Sequence, residues 1–98
     1  MSTFLYVVKL TKPEMWGKMS SEEEAIVDEH FERLKLVLAD GKLVLAGPCL
    51  DGAFGIVVFR AESEKEAEKF VRNDPAVKKG IMNAELHPFR VSLIEKAK

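Results

Sequence analysis

Two short segments of this chain are apolar on both sides of an extended backbone. Phe4-Leu5-Tyr6-Val7-Val8-Lys9-Leu10 puts Phe4, Tyr6, Val8 and Leu10 on one side and Leu5 and Val7 on the other. Phe54 to Arg60 puts Phe54, Ile56 and Val58 on one side and Gly55, Val57 and Phe59 on the other. An antiparallel strand with one wet face alternates apolar and polar residues, and these two do not. Any fold the chain adopts must therefore cover both faces of a sheet. Amphipathic helices can cover one. A second copy of the same sheet is the simplest cover for the other, so a homodimer packed sheet against sheet is expected. The alternative within one subunit is coverage by local loops, with Trp16 and Met19 over the second face.

The rest of the chain supplies the helices. A connecting segment, Thr11 to Met19, holds Pro13, Trp16 and Gly17. Ser20 and Ser21 stand three residues before Glu23 and Glu24, in capping-box spacing, and open a long helix running to about Asp40. The acidic run Glu22-Glu23-Glu24 complements the helix dipole there. Gly41 is the natural left-handed terminator. Lys42 to Ala46 reads as a strand stopped by Gly47-Pro48, and the Asp51-Gly52 turn joins it to Phe54–Arg60 as a hairpin. Ser63 opens a second helix with Ala67, Phe70 and Val71 at helical spacing, ended by Asp74-Pro75. Pro75 to Gly80 can form a further helical turn, Ala84 to Ile94 is the last strand, and 95–98 is a polar tail. The order β-α-β-β-α-β is that of a ferredoxin-like α+β domain, a four-stranded antiparallel sheet with both helices on one face. One domain over residues 1–98 is expected, with no linker or repeat.

Charge and cysteine content exclude several functions. The formal net charge is −1 and most cations have acidic neighbours, so no basic field draws the chain to nucleic acid. No run approaches membrane-span length. Phe4 to Leu10 is too short for a signal sequence and lacks a basic leader, so a cytoplasmic location is expected. Cys49 is the single cysteine and allows no intrachain disulfide. It reads as a small apolar residue beside a turn, since a reactive thiol needs an electropositive setting. His30 and His87 lack metal-ligand spacing, and neither a G-x-S-x-G elbow nor a glycine-rich phosphate loop occurs, so no metal and no cofactor are expected.

His30 is the residue with chemistry to offer. Positions 26, 27, 30, 31, 34, 37 and 38 share one helical face, and all are apolar except His30. An imidazole there is either an acid or base at the rim of a pocket, or a core histidine bonded to a backbone carbonyl. Asp74 has two readings as well. It can hydrogen-bond the imidazole and fix its tautomer, or it can cap the helical turn beginning at Pro75. A carboxylate has two oxygens, so the roles are compatible. His87, before Pro88 in the last strand, reads as structural.

Five stretches together resemble the YciI-like (YCII-related) family: His30-Phe-Glu-Arg-Leu34, Asp40-Gly41-Lys-Leu43, Ala46-Gly47-Pro48, Asn73-Asp74-Pro75-Ala-Val-Lys-Lys-Gly80 and Glu85-Leu-His-Pro88-Phe89. The resemblance implies a ferredoxin-like domain that pairs into a dimeric α+β barrel, similar to muconolactone isomerases and small cofactor-free monooxygenases. It also implies a His-Asp pair, carried by motif onto His30 and Asp74. Some members look like lyases or dehydrochlorinases of small aromatic compounds. The longer segment Thr11 to Met19 departs from the shortest members and can form a wall or lid. The function expected is a cofactor-independent enzyme of lyase or isomerase type. His30 would move a proton on a small molecule and Asp74 would orient it. Trp16, Met19, Gly47, Pro48 and Phe54 would shape the pocket. A binding module without turnover would have the same pocket, whereas a purely structural dimer would have no enclosed pocket.

Overall fold

The computed structural model describes residues 1–95, so the end of the polar tail, 96–98, lies outside the described residues. In chain order the elements are β1 (Ser2–Leu10), a 3-10 turn (Pro13–Met15), α1 (Ser21–Ala39), β2 (Leu43–Pro48), β3 (Gly55–Ala61), α2 (Glu64–Arg72), α3 (Pro75–Lys78) and β4 (Met82–Pro88). The four strands form one antiparallel sheet ordered β2-β3-β1-β4. With α1 and α2 on one face this is the ferredoxin-like arrangement that the element order predicts.

Local chemistry explains where the elements start and stop. The Ser20 hydroxyl accepts from the Glu23 amide, and the Glu23 carboxylate accepts from the Ser20 amide, closing the capping box. Gly41 follows α1 at φ 75°, a conformation that costs glycine little. The Ser63 hydroxyl caps α2 through the Glu66 amide. The bounds of β2 and β4 differ from the expectation. β2 is not stopped by Gly47-Pro48 but runs through them, because they pair with Ile56 and Gly55 of β3, and β4 begins at Met82 rather than Ala84. The last strand stops at Pro88 rather than at Ile94, because Pro88 pairs with Phe4 and β1 begins at Ser2. The Phe89 amide still donates to the Thr3 carbonyl, but beyond it β1 has almost no residues left to pair. A register shift between Leu43 and Leu45 leaves Val44 without a partner on β3, a bulge in the edge strand.

The core lies between the helices and one sheet face. Phe4, Tyr6 and Val8 of β1 and Val57, Phe59 and Ala61 of β3 pack with Leu34 of α1 and Ala67 and Val71 of α2. Burying a side chain of Val or Phe size contributes about 1.5–3 kcal/mol. The Phe59 ring sits 4.7 Å from Phe70 and meets Tyr6 edge-on at 5.7 Å. A second cluster, Met15, Ala76 and Ile81, gathers Leu10, Met19, Ile26 and Val27 around it. Met15 anchors the Thr11–Met19 segment there, with the Thr11 amide and hydroxyl bonded to the Ile81 and Gly80 carbonyls.

Two expectations need correction. The apolar stripe of α1 is not uniformly core: Leu34 is buried, but Phe31 and Leu38 are more than half exposed. Phe31 faces a cleft rather than packed side chains, as described below. The Thr11–Met19 segment does not cover the second sheet face, because Met15 ties it to the α3–β4 corner on the helix side. That second face carries Leu5, Val7, Ile56 and Val58, ringed by Lys9, Arg60, Asn83, Glu85 and His87. Among the described residues, no helix is long and apolar enough to cross a membrane.

Candidate active site

Three elements converge on one carboxylate. Asp74 ends the α2–α3 connection at the point where the chain turns into α3, and its Oδ1 accepts from the Ala76 amide at 2.9 Å. This is the helix cap that the Asp-Pro step predicts. From α1, His30 Nδ1 lies 2.8 Å from Oδ1 and 2.7 Å from Oδ2 of the same group. From β1, the Tyr6 hydroxyl donates to Oδ2 at 2.7 Å. Asp74 is 1% exposed and Tyr6 fully buried. Cap and imidazole partner are thus both roles of Asp74, using both oxygens.

The electrostatics follow from the geometry. Burial alone would raise the Asp74 pKa. The His30 hydrogen bond and charge, the Tyr6 hydroxyl and the Ala76 amide outweigh it, and the carboxyl is held below its ordinary value. Tyr6 is pushed far above the usual phenol range by burial, and then by the charge and hydrogen bond of Asp74. An ionised carboxylate only accepts, so the His30 proton facing it sits on Nδ1. In the neutral ring this tautomer leaves the Nε2 lone pair for anything that enters beside His30.

His30 opens onto a cavity of about 390 Å³ between α1, the β2–β3 hairpin and the Thr11–Met19 segment. This volume suits one small, ring-sized molecule. Trp16, Met19, Gly47, Pro48 and Phe54 all line it together with His30, and Asp74 stands behind the imidazole. Gly52 explains how the wall is built. It lies at φ 79°, and a Cβ placed on it would fall 2.7 Å from Cγ of Trp16. The indole therefore rests directly on the turn backbone, and only glycine permits that contact. Asp51 Oδ1 fixes the same turn by accepting from the Ala53 amide.

Other polar groups stand elsewhere. His87 pairs with Glu85 at 2.9 Å on the opposite sheet face from Tyr6. Cys49 is a half-buried free thiol in the hairpin turn. Among the described residues, no three His, Cys, Asp or Glu side chains come together as a metal site. The sequence reading missed Tyr6, which sits in an apolar strand face. The available signal was its hydroxyl, because a buried phenol needs a partner. It also missed Arg33, whose guanidinium stacks 4.0 Å over the Phe70 ring with Nη1 buried and unpartnered among the described residues.

Comparison with known proteins adds two findings. The family model of the YCII-related domain matches residues 4–90. The structure resembles that of 5-chloro-2-hydroxyhydroquinone dehydrochlorinase (TftG) from Burkholderia phenoliruptrix AC1100, solved in complex with 2,5-dihydroxybenzoquinone. The two superimpose with a TM-score of 0.61 at 20% identity, over 89% of this chain and 93% of that one. At this identity the likeness is one of fold. No curated protein matches the chain.

Proposed function

The chain belongs to the YCII-related family, and from that premise and the site geometry we propose that it is an acid–base enzyme of lyase or isomerase type acting on a small aromatic or carbonyl-bearing molecule. One observation carries the reading: the His30 imidazole is held at 2.7 Å by a buried carboxylate and borders a largely apolar, ring-sized cavity. His30 Nε2 takes a proton from the ligand and returns it at another atom, or keeps it while a leaving group departs. Asp74 fixes the tautomer and stabilises the imidazolium that forms. Trp16, Met19, Gly47, Pro48 and Phe54 enclose the ligand and exclude water. These steps use only the protein's own groups, so no added cofactor is required.

The TftG likeness suggests a first assay. Loss of HCl from a chlorinated hydroxyhydroquinone shifts one hydroxyl proton to the chlorine-bearing carbon, giving the keto form. A second hydroxyl proton then moves to Nε2 as chloride leaves with the C–Cl electron pair, and a hydroxyquinone remains. Chloride release by the wild type, lost by about a hundredfold or more in His30→Gln, would support the reading. Equal rates in the two proteins would overturn it. Binding without turnover of chlorinated, keto and hydroxy rings would instead favour a binding module.

The working form we propose is a homodimer in which the sheet faces bearing Leu5, Val7 and Ile56 pack together into an α+β barrel. Those residues are half-buried in one protomer and lie on the sheet face opposite Tyr6 and Phe59, which pack under the helices. A reducing, cytoplasmic setting suits the Cys49 thiol, which has no disulfide partner.

A further inference from the structure

The charge of the cavity narrows what it can hold. Its lining contains no lysine or arginine. Besides His30, the one ionisable side chain on the wall is Asp28, two residues earlier on α1. Asp28 is exposed and has neither an ion-pair nor a hydrogen-bond partner among the described residues. The buried Asp74 behind His30 is already partnered by the imidazole, which leaves Asp28 as the carboxylate on the wall without a partner among the described residues. Phe31, Trp16 and Phe54 supply aromatic surface around them.

An anion entering this cleft would leave water to meet the unpaired Asp28 carboxylate, and the lining offers it no lysine or arginine in return. A neutral molecule meets no such barrier. A ligand hydroxyl directed at Asp28 gains a charge-assisted hydrogen bond, while the ring fills the apolar space. We propose that Asp28 is the specificity residue of this cleft, selecting uncharged hydroxyl-bearing rings and rejecting ring carboxylates of the same shape. The inference deepens the acid–base reading and rests on the same cavity.

The test compares two probes of one ring pattern, hydroquinone and 2,5-dihydroxybenzoate, by anaerobic titration calorimetry on the whole protein. The wild type should bind hydroquinone at least about tenfold more tightly, the ratio that 1.4 kcal/mol provides. Asp28→Asn should bring the two affinities within about threefold, mainly by improving the carboxylate. Raising the salt concentration should narrow the wild-type ratio, since an exposed charge is screened. Far-ultraviolet circular dichroism checks that the variant folds. Comparable wild-type affinities overturn the proposal, and so does a ratio that Asp28→Asn leaves unchanged. Absence of binding by either ring overturns it as well. Hydroquinone bound selectively by a protein that turns over no ring sinks the acid–base reading and leaves the ligand class standing. His30-dependent turnover of a ring carboxylate does the reverse.

Discussion

Tyr6, His30 and Ala76 all donate to Asp74, yet they stand on β1, α1 and α3. Removing one donor leaves a buried carboxylate short of a partner. Tyr6→Phe keeps the ring packing against Phe59 and loses only the hydroxyl, so it should lower stability by roughly 1–3 kcal/mol in urea unfolding. It should also raise the pH at which any His30-dependent activity is lost on the acid side, because one bond that favours the ionised carboxylate is gone. The sign of the pH effect on stability follows from Asp74 itself. Its folded pKa lies below the ordinary value of 3.8, so the contribution is complete above that pH and disappears as pH falls through the lower, folded value. Urea unfolding at a series of acidic pH values should show that loss in the wild type. Asp74→Asn should be less stable at neutral pH but flatter across the same acidic window. The Asp-Pro step made the cap readable from sequence. The Tyr6 contact was not readable, because it joins residues 68 apart and depends on how β1 lies beneath α1.

At the level of the elements, short-range chemistry was legible and long-range pairing was not. Ser20 with Glu23, and Gly41 after α1, fix the ends of that helix within a few residues of sequence. The end of β4 is set instead by the length of β1, which lies at the other end of the chain, so strand propensity in 89–94 misleads. The hairpin turn combines both kinds of information. Asp51-Gly52 announces a turn, but not that Trp16 will lie on it. Two glycine substitutions separate these contributions. Gly41→Ala meets only the strain of a left-handed residue, since nothing lies within 4 Å of the new Cβ, and should cost about 1 kcal/mol. Gly52→Ala adds the displacement of the indole and should cost more than Gly41→Ala. Thermal unfolding measures both. Trp16 is the chain's single tryptophan, so a red-shifted emission in Gly52→Ala alone would report its release into water.

For the molecule as a whole, the two-faced strands identify the surface on which assembly depends. Val7 lies on β1, one of the two inner strands, on the sheet face opposite the packed helices. Val7→Glu should therefore convert the proposed dimer to a monomer in light scattering at micromolar concentration, while leaving far-ultraviolet circular dichroism nearly unchanged. A wild type that is already monomeric would refute the dimer. The ferredoxin-like order was legible because each element carries its own period and caps. The cleft was not, because it exists only where α1, the β2–β3 hairpin and the Met15-anchored segment stand apart. The meeting of three elements at Asp74 has one more consequence. The Ala76 amide proton shares a carboxylate with His30, so its magnetic environment must change whenever the imidazole gains or loses charge. A backbone nitrogen–proton spectrum recorded across a titration would thus let a buried peptide group announce protonation and occupancy of the cleft without any turnover.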